Sequence, residues 1–248
     1  MMAMALITNG STHVGRVRSS NQDSFLVNDA MKLFVVADGM GGHAGGEIAS
    51  QLCVQKIQEY LGKNPAKFSE KNNDNEVLSE LANAVNFASA RIYEHSIEQP
   101  ALRGMGTTAS VIKVIGSKAY CAHVGDSRIY LVRSGFLYQI TYDHSLVNEQ
   151  IRAGVLTPED AEQHHLKNVI TRSVGYQEEE DVDTMVVDLF PGDLLLICSD
   201  GLHGKVNNEE ISSITRELGP AAVEPLIQMS NDRGGEDNIT VVIIKVQE

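Results

Sequence analysis

The chain has 248 residues with 33 acidic and 20 basic side chains, a formal net charge of −13, and 42% hydrophobic and 21% charged residues. That is ordinary globular composition, long enough to bury a substantial core. Nucleic acid is set aside as a partner, because binding it rests on neutralising phosphates with Lys and Arg.

The opening Met1-Met2-Ala3-Met4-Ala5-Leu6-Ile7 is apolar but short, has no basic leader and runs into Thr8-Asn9-Gly10, so it is not read as a signal peptide. Residues 32–37 form a continuous apolar run ending at Asp38-Gly39, the pattern of a strand buried on both faces. Across 44–61, Ile48, Leu52, Cys53, Ile57 and Leu61 fall at the spacing of one helix face. Val77, Leu78, Leu81, Ala82, Val85 and Ala88 repeat that spacing and predict a second helix over about 76–95, after a polar loop at 64–75. From Thr107 onward, residues 110–115, 119–124 and 129–132 are β-rich pieces between Gly-containing turns, as in antiparallel hairpins. Residues 143–165 read as a helical insertion, with Pro158 near a helix start. Strands return at 183–189 and 193–198, split by Pro191-Gly192; two short helices follow near 209–218 and 221–230, and a strand closes at 239–246.

Strands, then helices, then strands imply an α+β domain in which helices cover sheets. Without repeats or low-complexity stretches, a single domain over 1–248 is expected. No apolar run approaches the ~20 residues of a membrane helix. Cys53, Cys121 and Cys198 lie far apart in apolar stretches, as reduced buried thiols do, so a cytoplasmic location is expected. The histidines, His164 and His165 included, read as surface residues, with His43 set apart below.

Four aspartates share one local pattern. Asp23 precedes Phe25-Leu26-Val27, Asp38 ends a buried strand before Gly39, Asp200 ends another before Gly201, and Asp237 opens the last strand; Asp126 adds a fifth at a turn. One Asp-Gly alone is an ordinary turn. Several carboxylates at the ends of buried strands are costly unless something compensates them, and aspartates without Cys or His suit Mg²⁺ or Mn²⁺. Two such ions make a good nucleophile of a bridging water and neutralise an incoming phosphate. Arg18, five residues before Asp23, offers a planar cationic fork for phosphate.

Arg18-Ser19-Ser20-Asn21-Gln22-Asp23, the run from Asp38-Gly39-Met40-Gly41-Gly42-His43 to Glu47, Gly106-Thr107-Thr108-Ala109, Gly125-Asp126-Ser127-Arg128, Ser199-Asp200-Gly201 and Asp237-Asn238 resemble, in order, the motifs of the metal-dependent protein phosphatase family (type 2C). Asp143-His144-Ser145-Leu146 and Asn168-Val169-Ile170-Thr171-Arg172 resemble segments of its bacterial branch. The resemblance implies a central β-sandwich of two antiparallel sheets flanked by α-helices, four layers deep (αββα), with metals at one end. It implies a protein-serine/threonine phosphatase, usually a monomer, acting on phosphorylated proteins and opposing a Ser/Thr kinase. Asp38 would bridge two Mn²⁺ or Mg²⁺ ions, with the Gly39 carbonyl on one and Asp200 and Asp237 on the other. Asp23 would act through water, and Asp126 with Asp200 would hold a weaker third ion. Arg18 would hold the substrate phosphate, Gln22 and Asn238 would stand behind the ligands, and residues 143–171 would form a flap.

Gln22 departs from the family's usual Glu, so it brings no charge to that outer position. His43 either protonates the leaving serine oxygen or orders the glycine loop. A cysteine-dependent phosphatase is rejected, because Cys121 and Arg128 have six residues between them where a phosphate loop needs five, and the Gly39–Gly46 glycines fit neither a dinucleotide fingerprint nor a P-loop. The remaining alternative is a phosphatase-fold module that binds regulatory partners with little catalysis.

Overall fold

The computed structural model describes residues 4–42, 44–162 and 164–247. Its strands and helices, in chain order, are β1 (Leu6–His13), β2 (Asp23–Asn28), β3 (Leu33–Met40), α1 (Gly45–Lys63), α2 (Asp74–Glu98), β4 (Gly106–Thr107), β5 (Ala109–Ile115), β6 (Lys118–Val124), β7 (Arg128–Arg133), β8 (Phe136–Gln139), α3 (Leu146–Arg152), α4 (Pro158–Glu162), β9 (Asp183–Asp188), β10 (Leu194–Cys198), α5 (Asp200–His203), α6 (Asn208–Leu218), α7 (Val223–Asp232) and β11 (Ile239–Val246). Among the described residues the strands form two antiparallel sheets. One runs β1-β11-β10-β7-β8 and the other β2-β3-β5-β6-β9, with the short β4 on β3.

Strand periodicity explains the layers. Successive side chains face opposite sides of a sheet, so a strand covered on both faces must be apolar throughout. On β3, Leu33, Val35 and Ala37 pack under α1 and α2, while Phe34 and Val36 face the other sheet. On β10 and β11, Leu196, Cys198, Val241 and Ile243 lie under α6 and α7, while Leu195, Ile197, Val242 and Ile244 fill the space between the sheets. Three apolar layers therefore separate helix, sheet, sheet and helix, the expected four-layer sandwich. The capping box at Asn73 and Glu76 starts α2, and a second at Asn207 and Glu210 starts α6.

Several elements differ from the sequence expectation. β1 was not foreseen: among the described residues only β11 pairs with it, so its sequence Leu-Ile-Thr-Asn-Gly-Ser-Thr-His carries the mixed polarity of an edge. The exposed edge strand β8 was missed for the same reason. The helical insertion at 143–165 is present as two short helices, the second starting at Pro158 as expected. The free cysteines are buried as expected. Among the described residues no helix is long and apolar enough to cross a membrane.

Candidate metal centre

Strand pairing assembles the carboxylates. The β2–β3 register sets Asp23 directly opposite Asp38. The end of β3 is pinned by its neighbours: the Asp38 N–H donates to Thr108 Oγ1 at 2.9 Å, and the Asp38 carbonyl accepts from the Thr108 N–H (2.8 Å) and Thr107 Oγ1 (2.9 Å). Asp23 reaches across the sandwich, its Oδ2 accepting from Ser199 Oγ at 2.8 Å and Thr240 Oγ1 at 2.6 Å. Asp200 begins α5 directly after β10, and Asp237 lies just before β11. Asp126 sits in the β6–β7 turn, where His203 Nε2 meets its carbonyl at 3.0 Å.

Asn238 ties the loops behind these residues. Its Oδ1 accepts from the Gln22 N–H at 2.8 Å, and its Nδ2 donates to the carbonyls of Val14 (2.8 Å) and Ser20 (3.0 Å). The Gly39 N–H donates to the Gln22 carbonyl at 3.1 Å, so Gln22 is held through its backbone on both sides. Arg18 Nη2 donates to Asp237 Oδ2 at 2.8 Å, with the guanidinium about half exposed. His43 lies outside the described residues.

The charges are strained. Asp38 is raised well above the carboxylate range, first by burial and then by the charges of Asp23, Asp200, Asp126 and Asp237. Burial raises Asp23 to about 7 against the pull of its Thr240 and Ser199 bonds. Burial and the Asp200 charge raise Asp126 to about 7, and burial with Asp237 raises Asp200 to about 6. Asp23 Oδ1 and Asp200 Oδ1 are buried with no hydrogen-bond partner. Among the described residues no three acidic, imidazole or thiol groups are drawn together closely enough to hold an ion as they stand. The mutual repulsion and the two orphaned oxygens nonetheless fit hard divalent cations, which would satisfy both at once.

Some supporting residues carried little sequence signal. Thr107, Thr108 and Ser199 lie inside quoted motifs, but their task of pinning strand ends and Asp23 is visible only once the strands are paired. Thr240 and His203 went unmarked, although His203 lies one turn from Asp200. The expectation of surface histidines is corrected at His123 and His144, which are 0% and 4% exposed. Strand pairing on β6 buries the first, and the turn beside Asp126 buries the second.

The segment after β8 is anchored by Asp143, which takes Arg128 Nε and Nη2 at 2.9 and 2.7 Å and Gln139 Nε2 at 3.1 Å. Both charges are largely buried, at 22% and 5% side-chain exposure. Removing one partner strands the other, so Asp143→Ala should cost about 3 kcal/mol in chemical denaturation, and Asp143→Asn less.

Residues 9–239 match the protein phosphatase 2C family. The chain belongs to it. Protein phosphatase PhpP of Streptococcus pneumoniae is 41% identical over 242 residues, covering 96% of each chain. The crystal structure of the Mycobacterium tuberculosis serine/threonine phosphatase PstP/Ppp superposes with a TM-score of 0.89 at 34% identity, covering 98% of this chain and 99% of that one. The PstP catalytic domain in complex with two manganese ions gives 0.85 at 34% identity, covering 99% and 100%. This phosphatase 2C member is an enzyme of the bacterial branch, a protein serine/threonine phosphatase whose substrates are phosphoproteins.

Proposed function

We propose that the phosphatase hydrolyses phosphoserine and phosphothreonine with Mn²⁺ or Mg²⁺ held by Asp38, the Gly39 carbonyl, Asp200 and Asp237. The observation that carries this reading is Asp38, in register with Asp23 and raised first by desolvation and then by four neighbouring carboxylates. Asp23 fits a role through water, since two hydroxyls already occupy its Oδ2. Asp126 with Asp200 is the natural place for a third, weaker ion. The manganese complex of PstP supports the choice of metal.

The cations, when bound, supply positive charge for phosphate oxygens and a water-derived nucleophile at neutral pH. The chain's own residues do the rest. Asp38 and its pinned strand end fix where charge is balanced, and the Asp237 pair keeps the Arg18 guanidinium beside the cluster, ready to hold phosphate oxygens. Attack on phosphorus breaks the bond to the serine or threonine oxygen, which takes up a proton. No covalent link to the enzyme is required. His43 is proposed to give that proton or to order its loop.

Arg18→Ala should raise KM about tenfold with a smaller loss of kcat, because a phosphate grip acts on bound substrate as well as on the transition state. Hydrolysis of a phosphothreonine peptide with Mn²⁺, then with excess EDTA, tests the whole reading. Turnover should need the metal and vanish on chelation, whereas EDTA-insensitive turnover or a trapped phosphoenzyme would overturn it. The proposed setting is a cytoplasmic, monomeric single domain with a flap at 143–171, opposing a Ser/Thr kinase. Folded protein without turnover at any metal concentration would instead favour the regulatory binding module.

A further inference from the structure

A buried polar cluster lies between the 143–171 segment and the turn that carries Asp126. Ser110, His123 and Asp183 stand in one row across β5, β6 and β9, each paired with the next. Ser110 Oγ meets His123 Nδ1 at 3.0 Å, and His123 Nε2 meets the Gly125 carbonyl at 3.0 Å. That carbonyl also accepts from the His144 N–H at 2.7 Å. The Gly125 N–H in turn donates to His144 Nδ1 at 3.1 Å. Both polar groups of Gly125 are thus held by histidines, directly before Asp126.

A backbone N–H can only donate, so His144 Nδ1 is the accepting, unprotonated nitrogen, and in the neutral ring Nε2 carries the hydrogen. Its carboxylate partner Asp183 Oδ2 is nearer, at 3.2 Å, than the Arg172 Nη1 donor at 3.5 Å. Arg172 Nη1 holds Asp183 Oδ1 at 3.0 Å, so the ring is oriented from its far side. Gly125 has φ of +108°, and a Cβ there would lie 2.5 Å from Thr108 Cγ2, so the turn depends on glycine and on whatever fixes its peptide.

His144 also gathers both ends of the flap segment. Its carbonyl accepts from the Thr171 N–H at 2.8 Å, Ser145 bridges to Ile170, and the Leu146 N–H donates to the Val169 carbonyl at 2.8 Å. The base of the flap segment is therefore hydrogen-bonded to the same residue that holds Gly125.

We infer that His144 is a positioning residue whose Nδ1 acceptor, oriented by Asp183, holds the Gly125 peptide so that Asp126 keeps its place, and so links the flap to that carboxylate. This rests on the reading of Asp126 as a ligand of the weaker ion. Asparagine places an acceptor where Nδ1 stands, whereas glutamine reaches the Nε2 position and leaves Gly125 without one. In the full chain, His144→Asn should keep Gly125 amide hydrogen exchange in metal-free protein close to wild type, as read by NMR. His144→Gln and His144→Ala should speed it about tenfold or more. Calorimetric Mn²⁺ titration should show the weakest site about tenfold weaker in His144→Gln, with Asp126→Asn changing that same site and the tighter sites unchanged.

Equal Gly125 exchange in wild type and His144→Gln would overturn the clamp. A weakest site lost in Asp126→Asn but unchanged in His144→Gln would overturn its link to Asp126. If Asp126→Asn itself leaves every site unchanged, the ligand reading falls and takes the metal half of the inference with it, while the exchange rates still decide the clamp.

Discussion

Asp38→Asn should abolish turnover, by on the order of 10³-fold or more, and at the same time stabilise the metal-free protein. The two effects share one cause. Asp38 is half-buried among four other carboxylates, and desolvation together with their charges raises its pKa well above the ordinary range. Without metal that charge is a net cost, so removing it relieves the fold. The sign follows from linkage. A carboxyl raised in the folded state contributes stability below its unfolded pKa near 3.8 and loses it as pH rises through the folded value. The asparagine variant has nothing to lose there. Its advantage in melting temperature in EDTA should therefore be near zero around pH 4 and grow toward pH 8, reaching on the order of 5 °C. Saturating Mn²⁺ should reverse the order, because wild type gains more from the ion. A variant that stays active, or that melts below wild type in EDTA at pH 8, would show that the cluster is not built around Asp38.

The second large effect is expected at a glycine. A Cβ on Gly39 would lie 2.0 Å from the Gly46 carbonyl oxygen and 2.6 Å from that of Gln22. Both obstacles are backbone, so no rotamer change can relieve them. In the reverse direction, a Cβ on Gly46 would meet the Gly39 oxygen at 2.7 Å, so the end of β3 and the start of α1 interlock without side chains. Gly39→Ala should cost about 4 kcal/mol or more, lower the melting temperature by roughly 10 °C and remove activity. Gly42 is the control: a Cβ there meets nothing within 4 Å, and its replacement by alanine should change stability by less than about 0.5 kcal/mol. Equal effects at the two positions would mean that helix and strand do not approach as closely as described.

These two residues show what could be read before folding. The apolar run before Asp38 announced a strand covered on both faces, and β11 falls where the closing strand was expected, at Ile239–Val246. Buried strands are legible because both faces carry the same signal. β1 and β8 were not, since an edge strand alternates weakly and keeps polar residues. The acidic residues stood out by their place at strand ends, but that Asp23 lies opposite Asp38 is a property of register, which no local pattern contains. The hydroxyls of Ser199 and Thr240 acquire their task only when the sheets meet. His123 and His144 looked like surface residues because histidine is polar in isolation; the apolar run around His123, Ala119-Tyr120-Cys121-Ala122, was the available hint of burial.

The bonds from Ser199 and Thr240 to Asp23 cross from one sheet to the other. They have a kinetic counterpart. β1 pairs with β11 from Leu6↔Val246 onward, so one sheet closes only when distant parts of the chain meet, and such long-range pairings form slowly. Either sheet on its own would leave the acidic cluster half assembled. During refolding, secondary structure should therefore return before phosphatase activity, which should appear only in the last phase, when the sheets dock. A partly folded molecule is thus silent rather than indiscriminate, a useful property in an enzyme whose substrates are other proteins.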